Sequence, residues 1–154
     1  MDNSQIKGRF RLQIHGVDGK LRDDTGWIDN ATMNAGLAVF SGLAGATGSQ
    51  TAFTYLALGT SSTAVAASQT TLQAEITDTG LQRAAATVSR VTTTQTNDTL
   101  QLAKTFTATG SKTVEEVGYF NAASSGVMGG RALTGTKSLV NGETLTVTYQ
   151  IKFA

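Results

Sequence analysis

Few side chains in this sequence can do chemistry, and their spacing limits what that chemistry is. There is one His, His15, and no Cys. A zinc site built on His15 would need carboxylates for its other ligands, and a thiolate site is excluded. A hydroxyl nucleophile would have His15 as its only histidine base, and no Gly-x-Ser-x-Gly elbow occurs. Two carboxylate pairs, Asp23-Asp24 and Glu115-Glu116, are sequence neighbours. Neighbours on a strand project to opposite faces, so neither pair forms an acid–base dyad. The stretch GRALTGTKS, Gly130 to Ser138, approaches a phosphate-binding loop, but Thr136 intervenes between Gly135 and Lys137 and breaks the spacing. Gly42, Gly45 and Gly48 lack the spacing of a dinucleotide fingerprint. These residues predict a protein that is not an enzyme and carries no cofactor and no metal.

Lys7, Arg9 and Arg11 alternate on one face of a predicted strand together with His15. Net charge is only +1 and no aromatic residue shares that face of the strand, so nucleic acid is not the expected partner. A solvated face or a contact with an acidic protein fits better. Charged residues make up 15% of the chain, against about 25% in a typical domain. The surface must therefore be built from Thr, Ser, Asn, Gln and Gly, which lose little on desolvation and suit lasting contact with other subunits. No apolar stretch is long enough to span a bilayer, and the polar start Met1-Asp2-Asn3-Ser4-Gln5 does not resemble a signal peptide. The expected place of synthesis is a cytosol.

The elements that position these residues are mostly strands. Thr144 to Phe153 alternates Leu145, Val147, Tyr149, Ile151 and Phe153 with Thr144, Thr146, Thr148, Gln150 and Lys152. That is one apolar and one wettable face, in residues suited to a pleated surface. Asn141-Gly142 predicts a tight turn, with a hairpin partner ending at Leu139 and Val140. Gly8 to Val17 carries Phe10, Leu12 and Ile14 on one face, and Asp18-Gly19 turns it into a poorer arm, Lys20 to Ile28. Trp27 is expected as a partly buried core or rim residue rather than a ligand platform.

Asn30 to Ala46 is the one good helix candidate, with Asn30 or Thr32 as N-cap and Met33, Leu37, Phe40 and Ala44 at helical spacing as its buried stripe, widened by Val39 and Leu43. Further strands are expected over Thr54 to Gly59, Leu81 to Thr94, Leu100 to Thr109, Thr113 to Asn121 and Arg131 to Leu133. Thr71 to Ile76 fits a helical turn or a short strand equally well. About eight strands and one short helix predict an all-β fold, an antiparallel β-sandwich or jelly-roll-like barrel, as one domain over residues 1–154.

Two sets of residues stand out. Arg83 is expected to be held by Glu75 or Glu116, bracing two strands and a loop. Lys7, Arg9, Arg11, Thr144, Thr146 and Thr148, with an N-terminal arm over residues 1–7, are expected to make subunit contacts.

From Tyr55 onward the motifs run TYLALGTSST, TTLQAEI, LQRAAATVSR, TFTATGSKTVEEVGYFN and GETLTVTYQIKF, preceded by NATMNAGLAVFSGL. In that order they resemble a group of small virion proteins of tailed bacteriophages, over about residues 27–154. Similar signatures occur in capsid decoration (cement) proteins and in the attachment domains of tail-collar fibres. The resemblance implies a bacteriophage virion structural protein, present in the host cytoplasm before assembly. Its partners would be the major capsid protein or tail and collar proteins, and copies of itself, with no nucleic acid and no membrane. Capsid decoration is the first expectation. A tail, collar or baseplate component anchoring a tail fibre is the alternative. A carbohydrate-binding accessory module is the second, and it would need Trp27, Tyr55 and Tyr119 to line an exposed groove.

Overall fold

The structure is a computed structural model that describes residues 6–153. Of the expected N-terminal arm, Met1 to Gln5 lie outside the described residues, and Lys7 already belongs to a strand. In chain order the elements are β1 (Lys7–His15), β2 (Leu21–Asp24), β3 (Ile28–Asp29), β4 (Ala31–Thr32), α1 (Asn34–Ala44), β5 (Tyr55–Gly59), β6 (Ala84–Ala85), β7 (Thr87–Val91), β8 (Thr99–Thr107), β9 (Lys112–Phe120), β10 (Met128–Leu139) and β11 (Thr144–Lys152).

Two antiparallel sheets pack face to face as a β-sandwich with one short helix. Sheet A runs β2-β1-β11-β8-β7, with β3 beside β1; sheet B runs β4-β10-β9-β5-β6. The inward residues of β1 and β11, Phe10, Leu12, Ile14, Leu145, Val147, Tyr149 and Ile151, are all buried. They face Leu56, Leu58, Val117 and Tyr119 of sheet B within one core. Each such side chain contributes about 1.5–3 kcal/mol when fully buried. Phe10, Tyr149, Tyr119, Phe53 and Phe40 form an aromatic run through the middle, with Tyr119 stacked on Tyr149 at 4.1 Å between centroids.

Several expectations change. Asn141-Gly142 does turn the chain, with Gly142 at φ 89°, but it makes no hairpin. β10 belongs to sheet B and β11 to sheet A, so this is a corner between layers. Amide bonds from Gly142 to the Ala108 carbonyl and from Ala108 to Glu143 tie the corner to the end of β8. The terminal strand itself stops at Lys152, and Phe153 is exposed rather than part of the apolar face.

The expected strand over Leu81 to Thr94 is two short strands in different sheets. The chain crosses at Ala86, whose amide donates to Thr54 O at 2.8 Å. β6 pairs with β5 and β7 with β8. Conversely, the short strand expected at Arg131 to Leu133 is the middle of the 12-residue β10, bulged between Leu133 and Lys137.

The helix is also rotated from its expected setting. Its buried residues are Gly36, Val39 and Gly42, while Leu37 and Leu43 are exposed. Gly36 explains this: a Cβ there would lie 2.6 Å from Gly129 O and 2.8 Å from Gly129 Cα, so backbone meets backbone where α1 crosses β10. Bare glycines allow the closest approach, and that contact sets the rotation. Neither Asn30 nor Thr32 caps the helix. Met33 occupies the N-cap with no side-chain bond, and the Asn34 amide is satisfied by Ala67 O at 2.9 Å.

Candidate functional site

The outer face of sheet A gathers the wettable sides of three long strands, β1, β11 and β8. The antiparallel register puts Arg9 opposite Gln150, Arg11 opposite Thr148, Gln13 opposite Thr146 and His15 opposite Thr144. On the other side of β11, Thr144 faces Thr107, Thr146 faces Thr105 and Gln150 faces Gln101. Lys7, Arg9, Arg11, Thr144, Thr146 and Thr148 are thus brought onto one surface, as alternation requires.

Several of these side chains are already fixed. Arg9 donates from Nε and Nη2 to Gln150 Oε1 at 3.1 and 2.7 Å, and Gln150 Nε2 passes the chain on to Gln101 Oε1 at 2.8 Å. The Arg9 guanidinium lies 4.1 Å over the Trp27 ring, which gives the half-exposed Trp27 its rim position. Arg11 grips Asp24 through two bonds, at 3.0 and 2.5 Å, and Gln13 adds a third at 3.2 Å. The Arg11 hydrogen bond, then the Gly26 amide, holds the Asp24 carboxyl well below the usual carboxylate range. Thr105 and Thr146 share a hydroxyl bond at 2.8 Å. A surface whose polar groups are held in advance loses little conformational entropy on binding. Chemically it can accept and donate hydrogen bonds over a broad, weakly charged area.

On the other side of the sandwich, the long connection from β5 to β6, residues 60–83, packs over the outer side of sheet B, where two arginines hold it. Arg83 donates to Glu75 Oε1 at 2.8 Å and Oε2 at 2.6 Å. It also bonds Ala122 O and Ser125 O and sits 3.6 Å over the Phe120 ring. Glu116 does not join it. Glu116 pairs instead with Arg131 at 2.5 Å, and both side chains are fully buried, at 0% exposure. Every strong group in that pair is used: the Gln73 and Ala74 amides donate to the Glu116 carboxylate, and Arg131 donates to Gln69 Oε1 and Thr63 O. Gly59 makes room for it, since a Cβ there would strike the Glu116 carboxylate.

Sequence reasoning did not single out Arg131, which follows Gly130 in the stretch weighed as a phosphate loop. The signal was its register: Arg131 and Glu116 lie on adjacent antiparallel strands, opposite Gly118 and Leu133 respectively, so the pair is diagonal. The residues 71–76, undecided between helix and strand, form neither element. Glu75 makes an isolated bridge to Gly59, the Ile76 amide donates to Leu58 O at 2.8 Å, and Leu72 packs against Ala57 and Phe120 of sheet B.

The remaining chemistry-bearing residues stay apart. Asp23 pairs with Lys137 and Asp24 with Arg11. Glu115 accepts from Thr136, while its neighbour Glu116 points inward to Arg131. The GRALTGTKS stretch is part of the bulged strand β10 rather than a loop before a helix. Among the described residues no three His, Asp or Glu side chains gather as a metal site. Trp27, Tyr55 and Tyr119 do not line a common groove, because Tyr119 is buried between the sheets.

No family model, curated protein or solved structure matches this chain.

Proposed function

We propose that the chain is a non-enzymatic structural protein of a tailed-bacteriophage virion, and that it decorates the capsid as a cement subunit. The observation that carries this reading is the outer face of sheet A: Thr144, Thr146, Thr148, Thr105 and Thr107 spread across two long strands, with Arg9 and Arg11 locked at its edge. Such a face can be buried against a neighbouring subunit without desolvating many charges. The order of motifs shared with small virion proteins supports the same reading. The clamped 60–83 connection supports it too, since a surface loop under shear on a particle benefits from being pinned at several points.

Mass spectrometry of heads and tails, purified apart from the producing phage, tests the placement. The chain is expected in the head fraction at stoichiometric amounts. Recovery only with tails would move it to the alternative role, a collar, tail or baseplate anchor for a fibre. Recovery with neither would overturn the virion reading. On isolated heads, Thr146→Lys and Thr148→Lys together are expected to abolish rebinding of added chain while leaving its melting temperature within a few degrees.

A further inference from the structure

The rotation of α1 leaves an apolar groove at one end of the sandwich, of about 640 Å³. One wall is the helix face of Leu37, Phe40, Ser41, Leu43 and Ala44; the other is the end of sheet A, where Ile6, Phe153, Leu100 and Arg90 come from the neighbouring β1, β11, β8 and β7 ends. Leu37 is 46% exposed, Leu43 38% and Phe153 57%. The helix carries no charged residue, and its two faces are both apolar or small. A helix of that kind is ordinarily enclosed on all sides.

Charge and size say what would enclose it. Arg90 is the one charged side chain lining the groove, and it has no ion-pair partner among the described residues. Asp98, next to the lining residue Asn97, already accepts from the amides of Thr93, Thr94 and Gln95. Four adjacent strands span about 14 Å. The 11-residue helix is about 16 Å long. That footprint, roughly 200 Å², is well short of the roughly 800 Å² per partner of a stable dimer, so docking of a second folded copy through this groove alone is disfavoured. It matches about three turns of helix lying in a groove.

We propose that the groove is the docking site for a short acidic amphipathic helix of another protein. Its apolar side chains would rest on Phe40, Leu43 and Leu100, and a carboxylate at its edge would meet Arg90. The proposal does not depend on the virion reading, because it follows from the groove alone.

The test uses the full chain and two synthetic helical peptides of about 14 residues, long enough to cover the groove. Both carry Leu at helical a and d positions; one has Glu and the other Lys at the flanking positions. By calorimetric titration the Glu peptide is expected to bind about tenfold or more tightly than the Lys peptide, as a desolvated charge contact would require. Arg90→Glu should reverse that preference, and Leu37→Asp should remove binding of both, with circular dichroism and melting unchanged because both positions are on the surface. Absence of binding, equal binding of the two peptides, or binding indifferent to Leu37→Asp would overturn the proposal. So would a Leu37-dependent dimer of the chain alone, which would assign the groove to a second copy. Saturable uptake of dodecanoate that displaces the Glu peptide would assign it to an acyl chain.

Discussion

Arg131–Glu116 and Arg83–Glu75 hold the same 60–83 connection, and they differ chiefly in depth. The first pair is sealed at 0% exposure on both sides; in the second, Arg83 is 8% exposed and Glu75 24%. Both arginines also donate to loop carbonyls. The difference teaches where the same chemistry constrains the fold and where it only assists. A sealed pair has lost its water and depends wholly on its partners, so breaking it leaves a buried charge behind. A pair at the rim regains water when broken.

The deepest pair therefore predicts the largest effect. Arg131→Met should cost about 3–5 kcal/mol, read as a lower urea midpoint, because Glu116 is left buried without its cation. The comparison sharpens with the double variant Arg131→Met with Glu116→Leu, which should recover much of that loss by removing both charges. If the double variant is as unstable as the single one, the loop amides rather than the charges carry the effect. Arg83→Ala is expected to cost less, about 1–2 kcal/mol, from a partly solvated pair and the contact with Phe120. Equal losses at Arg131 and Arg83 would break the argument from depth.

The Arg11–Asp24 pair on the outer face extends the series to higher exposure, and its signature is pH rather than size. Asp24 is held below its unfolded value of 3.8, first by the Arg11 hydrogen bond. Its contribution to stability is thus fully present above about pH 4 and fades as acid protonates the folded carboxylate. Between pH 5 and pH 2 the melting temperature of Asp24→Asn should fall less steeply than that of the parent. Identical slopes would mean the pair adds nothing measurable.

Much of the layered β fold was legible because alternation is a local signal. Phe10, Leu12 and Ile14, and Leu145, Val147, Tyr149 and Ile151, declare their faces without reference to anything distant. What alternation does not encode is which sheet a strand joins, so the corner at Asn141-Gly142 looked like a hairpin and the crossing at Ala86 looked like continuous strand. The helix lies within the expected span, although Ala31–Thr32 at its front form β4 instead, and its rotation depends on Gly36 meeting Gly129, a contact between distant residues that have no side chains to announce it. Likewise Arg83 with Glu75 is a short-range pairing, eight residues apart, and open to inference. Glu116 with Arg131 required knowing that β9 and β10 pair with a bulge.

The place of β11 between β1 and β8 has a consequence for how the molecule is made. Arg9 and Gln150 touch across a separation of 141 residues, so β1 emerges from the ribosome long before the strand that pairs with it. Until then β1 and β8 each keep an open edge and an unshielded greasy side, the kind of intermediate that sticks to its own kind. Substitutions in β11 should accordingly reduce soluble yield during expression by more than their effect on the finished protein's melting point suggests.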